Sequence, residues 1–110
     1  WLTGRLQAAG KTAPRYHAHA RPLLVEREAT HRAIALSELV DVPILIVHVS
    51  GREAVEQIRW GRAHGLQVFA ETCPQYLFLT AEDLGIDDSY EGAKCVCSPP
   101  PRDKANQQVI

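Results

Sequence analysis

The sequence predicts an α/β fold, and three observations carry that prediction. Residues 44–49 form an apolar, β-branched run, as expected of a strand covered on both faces. A helix-like stretch follows and leads into a second short strand pattern at 67–71. A longer amphipathic helix pattern at 24–40 precedes both. Residues 44–71 therefore read as a βαβ unit, a connection that is nearly always parallel and right-handed. The preceding helix extends the alternation to αβαβ.

Residues 1–10 read as the end of a helix closed by Gly10. "KTAPRYHAHARP", 11–22, is an irregular link with a proline near each end. In the helix at 24–40, Val25, Ala29, Ala33, Leu36 and Leu39/Val40 recur at three- and four-residue steps. Glu26, Arg27, Arg32 and Glu38 fall largely off that face, and Asp41-Val42-Pro43 ends the helix. Ser50-Gly51-Arg52-Glu53 matches a capping box, in which Ser50 and Glu53 satisfy each other's backbone amides. The helix so opened carries Ala54, Val55, Ile58 and Ala63, and Gly65 is placed to end it. Thr80-Ala81-Glu82-Asp83 caps a short helix ending at Gly85. Ala93–Ser98 reads as a third strand, stopped by Pro99-Pro100-Pro101.

Two or three strands cannot cover a parallel sheet, and a barrel needs eight. The chain thus reads as part of a larger α/β domain, either a (β/α)8 barrel or a doubly wound sheet. It lacks an initial Met, which fits a segment whose start lies upstream, and no second domain is expected within residues 1–110. Hydrophobic content is 45% and charged content 23%, ordinary for a globular protein. A net charge of −1 supplies no electrostatic case for nucleic acid or an anionic membrane. No apolar run approaches the roughly 20 residues of a membrane span, and no signal-peptide pattern is present. Cys73, Cys95 and Cys97 are odd in number and match no zinc spacing, so they are expected as reduced thiols packed as small hydrophobes.

His48 raises the chemical question. It ends an apolar strand, and the carboxyl ends of strands form the functional face in both candidate architectures. Glu71, Thr72 and Cys73 occupy the same end of the next strand. Position alone allows His48 to be a metal ligand, a general base or a histidine bonded to a backbone carbonyl. Glu71 fits either an acceptor for a ligand histidine or a salt-bridged rim residue. His17 and His19 form an H-x-H, but in a proline-flanked link rather than at a strand end. His31 lies on the polar side of its helix and His64 in a last helical turn, both as surface residues.

"ILIVHVS", "ETCPQYL", "EGAK" and "SPPPRDK", in this order and spacing, resemble the cyclic amidohydrolases, in particular the D-hydantoinase and dihydropyrimidinase branch. "YHAHARP" and "EREATHRAIALSEL" resemble the same branch, so the likeness covers the whole chain. It implies a fragment of a (β/α)8 TIM-type barrel, from about the helix after strand 5 to the region after strand 7. It also implies two divalent metals, usually zinc. In that family an H-x-H on the first strand, a bridging carbamylated lysine, histidines on the fifth and sixth strands and a late aspartate hold them.

His48 matches the sixth-strand metal ligand. Ser98 matches the serine whose main chain hydrogen-bonds the cyclic amide, with Pro99 and Pro100 as rigid flanks. No catalytic residue of the family falls within the chain, and "YHAHARP" aligns with a link rather than the metal-binding H-x-H. The implied activity of the parent protein is hydrolysis of hydantoin or dihydropyrimidine rings by a metal-bridging hydroxide. The parent is further expected to be a cytoplasmic homo-oligomer, dimer or tetramer, that takes a small-molecule substrate. Gln75, in "CPQY", favours these rings over those of allantoinase- or dihydroorotase-like relatives, which tend to carry histidine there. A non-catalytic dihydropyrimidinase-related scaffold remains open, and the segment alone is expected to be inactive.

Overall fold

The computed structural model describes all of residues 1–110. In chain order it contains α1 (Leu2–Ala8), α2 (Tyr16–His19), α3 (Leu23–Val40), β1 (Ile44–Ile46), α4 (Arg52–Ala63), β2 (Val68–Ala70) and α5 (Gln75–Phe78). Two 3-10 turns, Ala81–Leu84 and Glu91–Cys95, and a last helix α6 (Lys104–Val109) complete it. No helix is long and apolar enough to cross a membrane.

The predicted βαβ unit is present. β1 and β2 are parallel, with Ile44 opposite Val68, Leu45 opposite Phe69 and Ile46 opposite Ala70. The core lies between this sheet and helices α3 and α4, and consists of Ile34, Val49, Ala54, Ile58 and Val68. Burying each large aliphatic side chain contributes about 1.5–3 kcal/mol. α4 presents Ala54, Ile58 and Gly61 at helical spacing to this core. Leu45 and Phe69, on the opposite face of the sheet, remain 54% and 57% exposed, so residues 1–110 cover one sheet face rather than two.

α3 ends as expected, with Asp41 in the left-handed region (φ 52°) and the Ser37 hydroxyl donating to the Val42 carbonyl at 2.7 Å. Its packed face, however, differs from the predicted stripe. Thr30, Ile34 and Ser37 are buried, whereas Leu36 and Leu39 are exposed. α4 packs on the side of α3 where small or polar residues permit close approach. Apolar periodicity alone missed this side because it scores Thr30, Ser37 and Glu26 as outward.

Two further expectations are corrected, and one element was not foreseen. Ser50 and Glu53 do not form a capping box: Gly51 is the N-cap of α4 and no side chain of the box caps it. Instead the Arg52 amide donates to the Asn106 side-chain oxygen at 2.8 Å, a cap supplied from α6. Ala93–Ser98 is not a strand. Its first residues belong to the 3-10 turn Glu91–Cys95, because Gly92 packs directly on the Leu84 carbonyl and no strand lies alongside to pair with the segment. Finally, α6 forms just past the triple proline, where Asp103 accepts from the Asn106 amide at 3.0 Å. The capping box at Thr80 does form, with the Thr80 amide donating to Asp83 at 2.7 Å and Gly85 closing the turn at φ 104°.

Candidate functional site

The regular part of β1 stops at Ile46, but its pairing continues irregularly. The Glu71 amide donates to the Ile46 carbonyl at 3.0 Å and the Val49 amide to the Glu71 carbonyl at 2.9 Å. The Thr72 hydroxyl donates to the Val49 carbonyl at 2.7 Å. The carboxyl ends of both strands thus form one rim. Between these bonds His48 adopts a left-handed backbone (φ 47°), unusual for a non-glycine residue, and its side chain is exposed. Glu71 is also exposed on this rim.

Ser98 comes to the same place from fifty residues further along the chain (98 against 48). His48 and Ser98 both line a cavity of about 520 Å3, whose walls include β1 and the Val25–Ala29–Ala33 side of α3. This is where part of the predicted α3 stripe points.

The peptide around Ser98 is held by its neighbours. The His17 Nε2–H donates to the Cys97 carbonyl at 2.8 Å. The Tyr76 hydroxyl donates to the Pro99 carbonyl at 2.7 Å, and the Cys97 thiol donates to the same oxygen at 3.3 Å. The Ser98–Pro99 peptide bond is cis. Ser98 itself, between these two anchored carbonyls, makes no main-chain hydrogen bond within the chain. Its N–H and C=O are therefore available to a ligand, and a secondary amide presents the complementary pair of groups. Burial, helped by the adjacent Cys97 thiol, pushes the Tyr76 phenol well above its ordinary range. Burial likewise raises the Cys97 thiol. Both groups stay protonated and keep donating near neutral pH. The three cysteines are free thiols, as expected.

A buried polar network lies below. Arg102 donates to the Glu26 carboxylate at 2.9 Å, to the Ser50 hydroxyl at 3.0 Å and to the Arg21 carbonyl. The Ser50 amide and hydroxyl donate to Glu26 at 2.7 and 2.6 Å. These bonds join α3, the loop after His48 and the segment after Ser98. Pairing within the network offsets the desolvation cost of two buried charges.

The 110 residues bring together no group of three or more His, Cys, Asp or Glu side chains that could hold a metal. His48 can contribute one nitrogen to such a site, and further ligands would have to come from outside the chain. The two histidines of the H-x-H make separate backbone contacts. His17 binds the Cys97 carbonyl, while His19 Nδ1 donates back to the Arg15 carbonyl at 3.1 Å. His31 and His64 are exposed, as expected. Sequence reasoning missed His17, Glu26, Tyr76 and Arg102. Their only sequence signal was their presence inside the segments that carry the family likeness.

No family profile matches the chain. Individual proteins do. A D-hydantoinase from Rhizobium radiobacter is 49% identical over all 110 residues, which correspond to 24% of that protein. A D-hydantoinase from Streptomyces coelicolor is 50% identical over 109 residues, 23% of its length. A crystal structure of dihydropyrimidinase from Brevibacillus agri superposes with a TM-score of 0.94 at 50% identity, covering 98% of this chain and 23% of that one. The chain spans about a quarter of the length of these relatives. Over its full length it is homologous to one segment of the D-hydantoinases and dihydropyrimidinases.

Proposed function

We propose that the intact protein carrying this chain is a metal-dependent cyclic amidohydrolase that opens hydantoin or dihydropyrimidine rings. The chain would form the part of its (β/α)8 barrel from the helix after strand 5 to the region after strand 7. The observation that carries this reading is full-length identity near one half to proteins named for that chemistry, at a TM-score of 0.94. The meeting of His48 and Ser98 on one cavity at the strand rim supports it.

In this reading His48 leaves the end of β1 to give a ring nitrogen to one metal. The bound metals, zinc by family likeness, would polarise the ring carbonyl and acidify a water that attacks it. Ser98 orients the substrate: its N–H donates to the ring carbonyl oxygen and its C=O accepts from the ring N–H. Tyr76 and His17 hold the flanking carbonyls, so binding does not have to order that backbone. The same family likeness supports a cytoplasmic homo-oligomer.

The test is ring opening of hydantoin and 5,6-dihydrouracil by the intact protein, together with zinc content per subunit in His48→Ala. The reading expects activity in the parent, and loss of both metal and activity in the variant. Undiminished metal with full activity in His48→Ala would refute the role of His48. A parent that opens neither ring would refute the function.

A further inference from the structure

We infer that His17 is a positioning residue for substrate recognition, acting through the Cys97–Ser98 peptide. This rests on the proposed role of the Ser98 main chain. It goes further by assigning work to an H-x-H residue whose two ring nitrogens are both engaged by protein groups.

The geometry is specific. A carbonyl only accepts, so the His17 Nε2 that lies 2.8 Å from the Cys97 oxygen must carry its hydrogen. The Ser98 hydroxyl sits 3.3 Å from the same nitrogen and shares that donor. On the other side of the ring, Arg21 Nη1 lies 3.3 Å from His17 Nδ1 and donates to it. One tautomer, with hydrogen on Nε2, satisfies every contact. Arg21 in turn accepts from Arg102 through its own carbonyl, which ties the link between α2 and α3 to the buried Glu26–Arg102 network.

The consequence falls on Ser98. The Cys97 carbonyl and the Ser98 N–H belong to one planar peptide, so fixing the oxygen fixes the direction of the N–H. The Tyr76 hydroxyl holds the Pro99–Pro100 peptide on the far side through the Pro99 carbonyl. Ser98 has both main-chain groups unpaired, and His17 aims its N–H directly. His17 is half-buried and belongs to no core cluster, so its loss should leave the fold intact.

The test uses the intact protein and its variants His17→Leu and His17→Gln. Leu removes the donor, whereas the Gln side-chain amide nitrogen reaches the position of Nε2. Steady-state kinetics on hydantoin and 5,6-dihydrouracil, zinc content and thermal midpoint are measured for all three. The expected result for His17→Leu is a KM raised about tenfold with kcat changed less than about threefold, because the contact orients ground and transition state alike. Zinc content and thermal midpoint should stay near the parent's, and His17→Gln should recover most of the KM. Unchanged KM in His17→Leu overturns the inference while leaving the proposed function standing. So does an equal loss in Leu and Gln that tracks a lowered thermal midpoint, which would mark His17 as structural. A parent without ring-opening activity overturns both.

Discussion

Glu26 and Arg102, 76 positions apart in the sequence, meet at 2.9 Å with side chains only 10% and 7% exposed. Breaking such a buried pair strands one charge, at a cost of about 3–5 kcal/mol. Glu26→Ala in the intact protein is therefore expected to lower the unfolding free energy by about that amount, read from chemical denaturation. The double variant Glu26→Leu/Arg102→Met should lose much less than the two single changes combined. Additive losses would show that the pair is not energetically coupled.

The amino end of α4 gives a contrast between local and long-range capping. Asn106→Ala leaves the Arg52 amide without its partner and is expected to destabilise by about 1–2 kcal/mol. Glu53→Ala removes only a partly exposed pair with Arg27 at 3.2 Å and should cost less than about 1 kcal/mol. Thermal midpoints of the two variants decide the matter, and the reverse order would restore the capping-box reading of Ser50 and Glu53.

Gly51 is required by packing. A Cβ there would collide with the Leu23 side chain and approach the Glu26 carboxylate at 3.4 Å. Gly51→Ala is expected to destabilise by about 1–3 kcal/mol through overpacking. At Gly92 the obstacle is the Leu84 backbone, which cannot rotate away, so Gly92→Ala should cost more than Gly51→Ala in the same denaturation assay.

Tyr76 provides a pH prediction. Its phenol titrates above the ordinary 10.0 because it is buried, so the folded state holds this proton more tightly than the unfolded chain. The resulting stabilisation is complete below pH 10.0 and is lost as pH rises beyond it. The buried Cys97 thiol acts in the same direction from its ordinary 9.0 upward. Tyr76→Phe should cost about 1 kcal/mol near neutrality, through the lost bond to Pro99. It should also flatten the fall of the thermal midpoint above about pH 10. An equally steep fall in the variant would remove Tyr76 as the cause.

Ser98→Ala tests backbone recognition. The change keeps the N–H and C=O, so kcat/KM for a cyclic amide should move by less than about tenfold, or roughly 1.4 kcal/mol. A larger catalytic loss at unchanged stability would mean that the hydroxyl itself contacts substrate.

The sequence by itself determined the local elements and their order. The β-branched run at 44–49, the short strand pattern at 67–71, helical periodicity at 52–64 and the stop signals at Gly10, Asp41, Gly65 and Gly85 each act within a few residues, so they can be read without knowing what packs where. His48 at a strand end was legible for the same reason. Tertiary structure alone decided the rest. Ser50 fits a local cap, yet its hydroxyl is drawn to Glu26 because a buried carboxylate beside Arg102 needs every donor it can find. Asn106 caps a helix 54 positions away, and the turn Glu91–Cys95 takes the start of the predicted strand Ala93–Ser98, because the backbone nearest Gly92 is a carbonyl and not a pairing edge. His17 was set aside as a link residue, since nothing in "YHAHARP" encodes the carbonyl 80 positions away that its imidazole meets. Partners this remote are chosen by chain topology, and the strength of a hydrogen bond carries no record of them in local sequence.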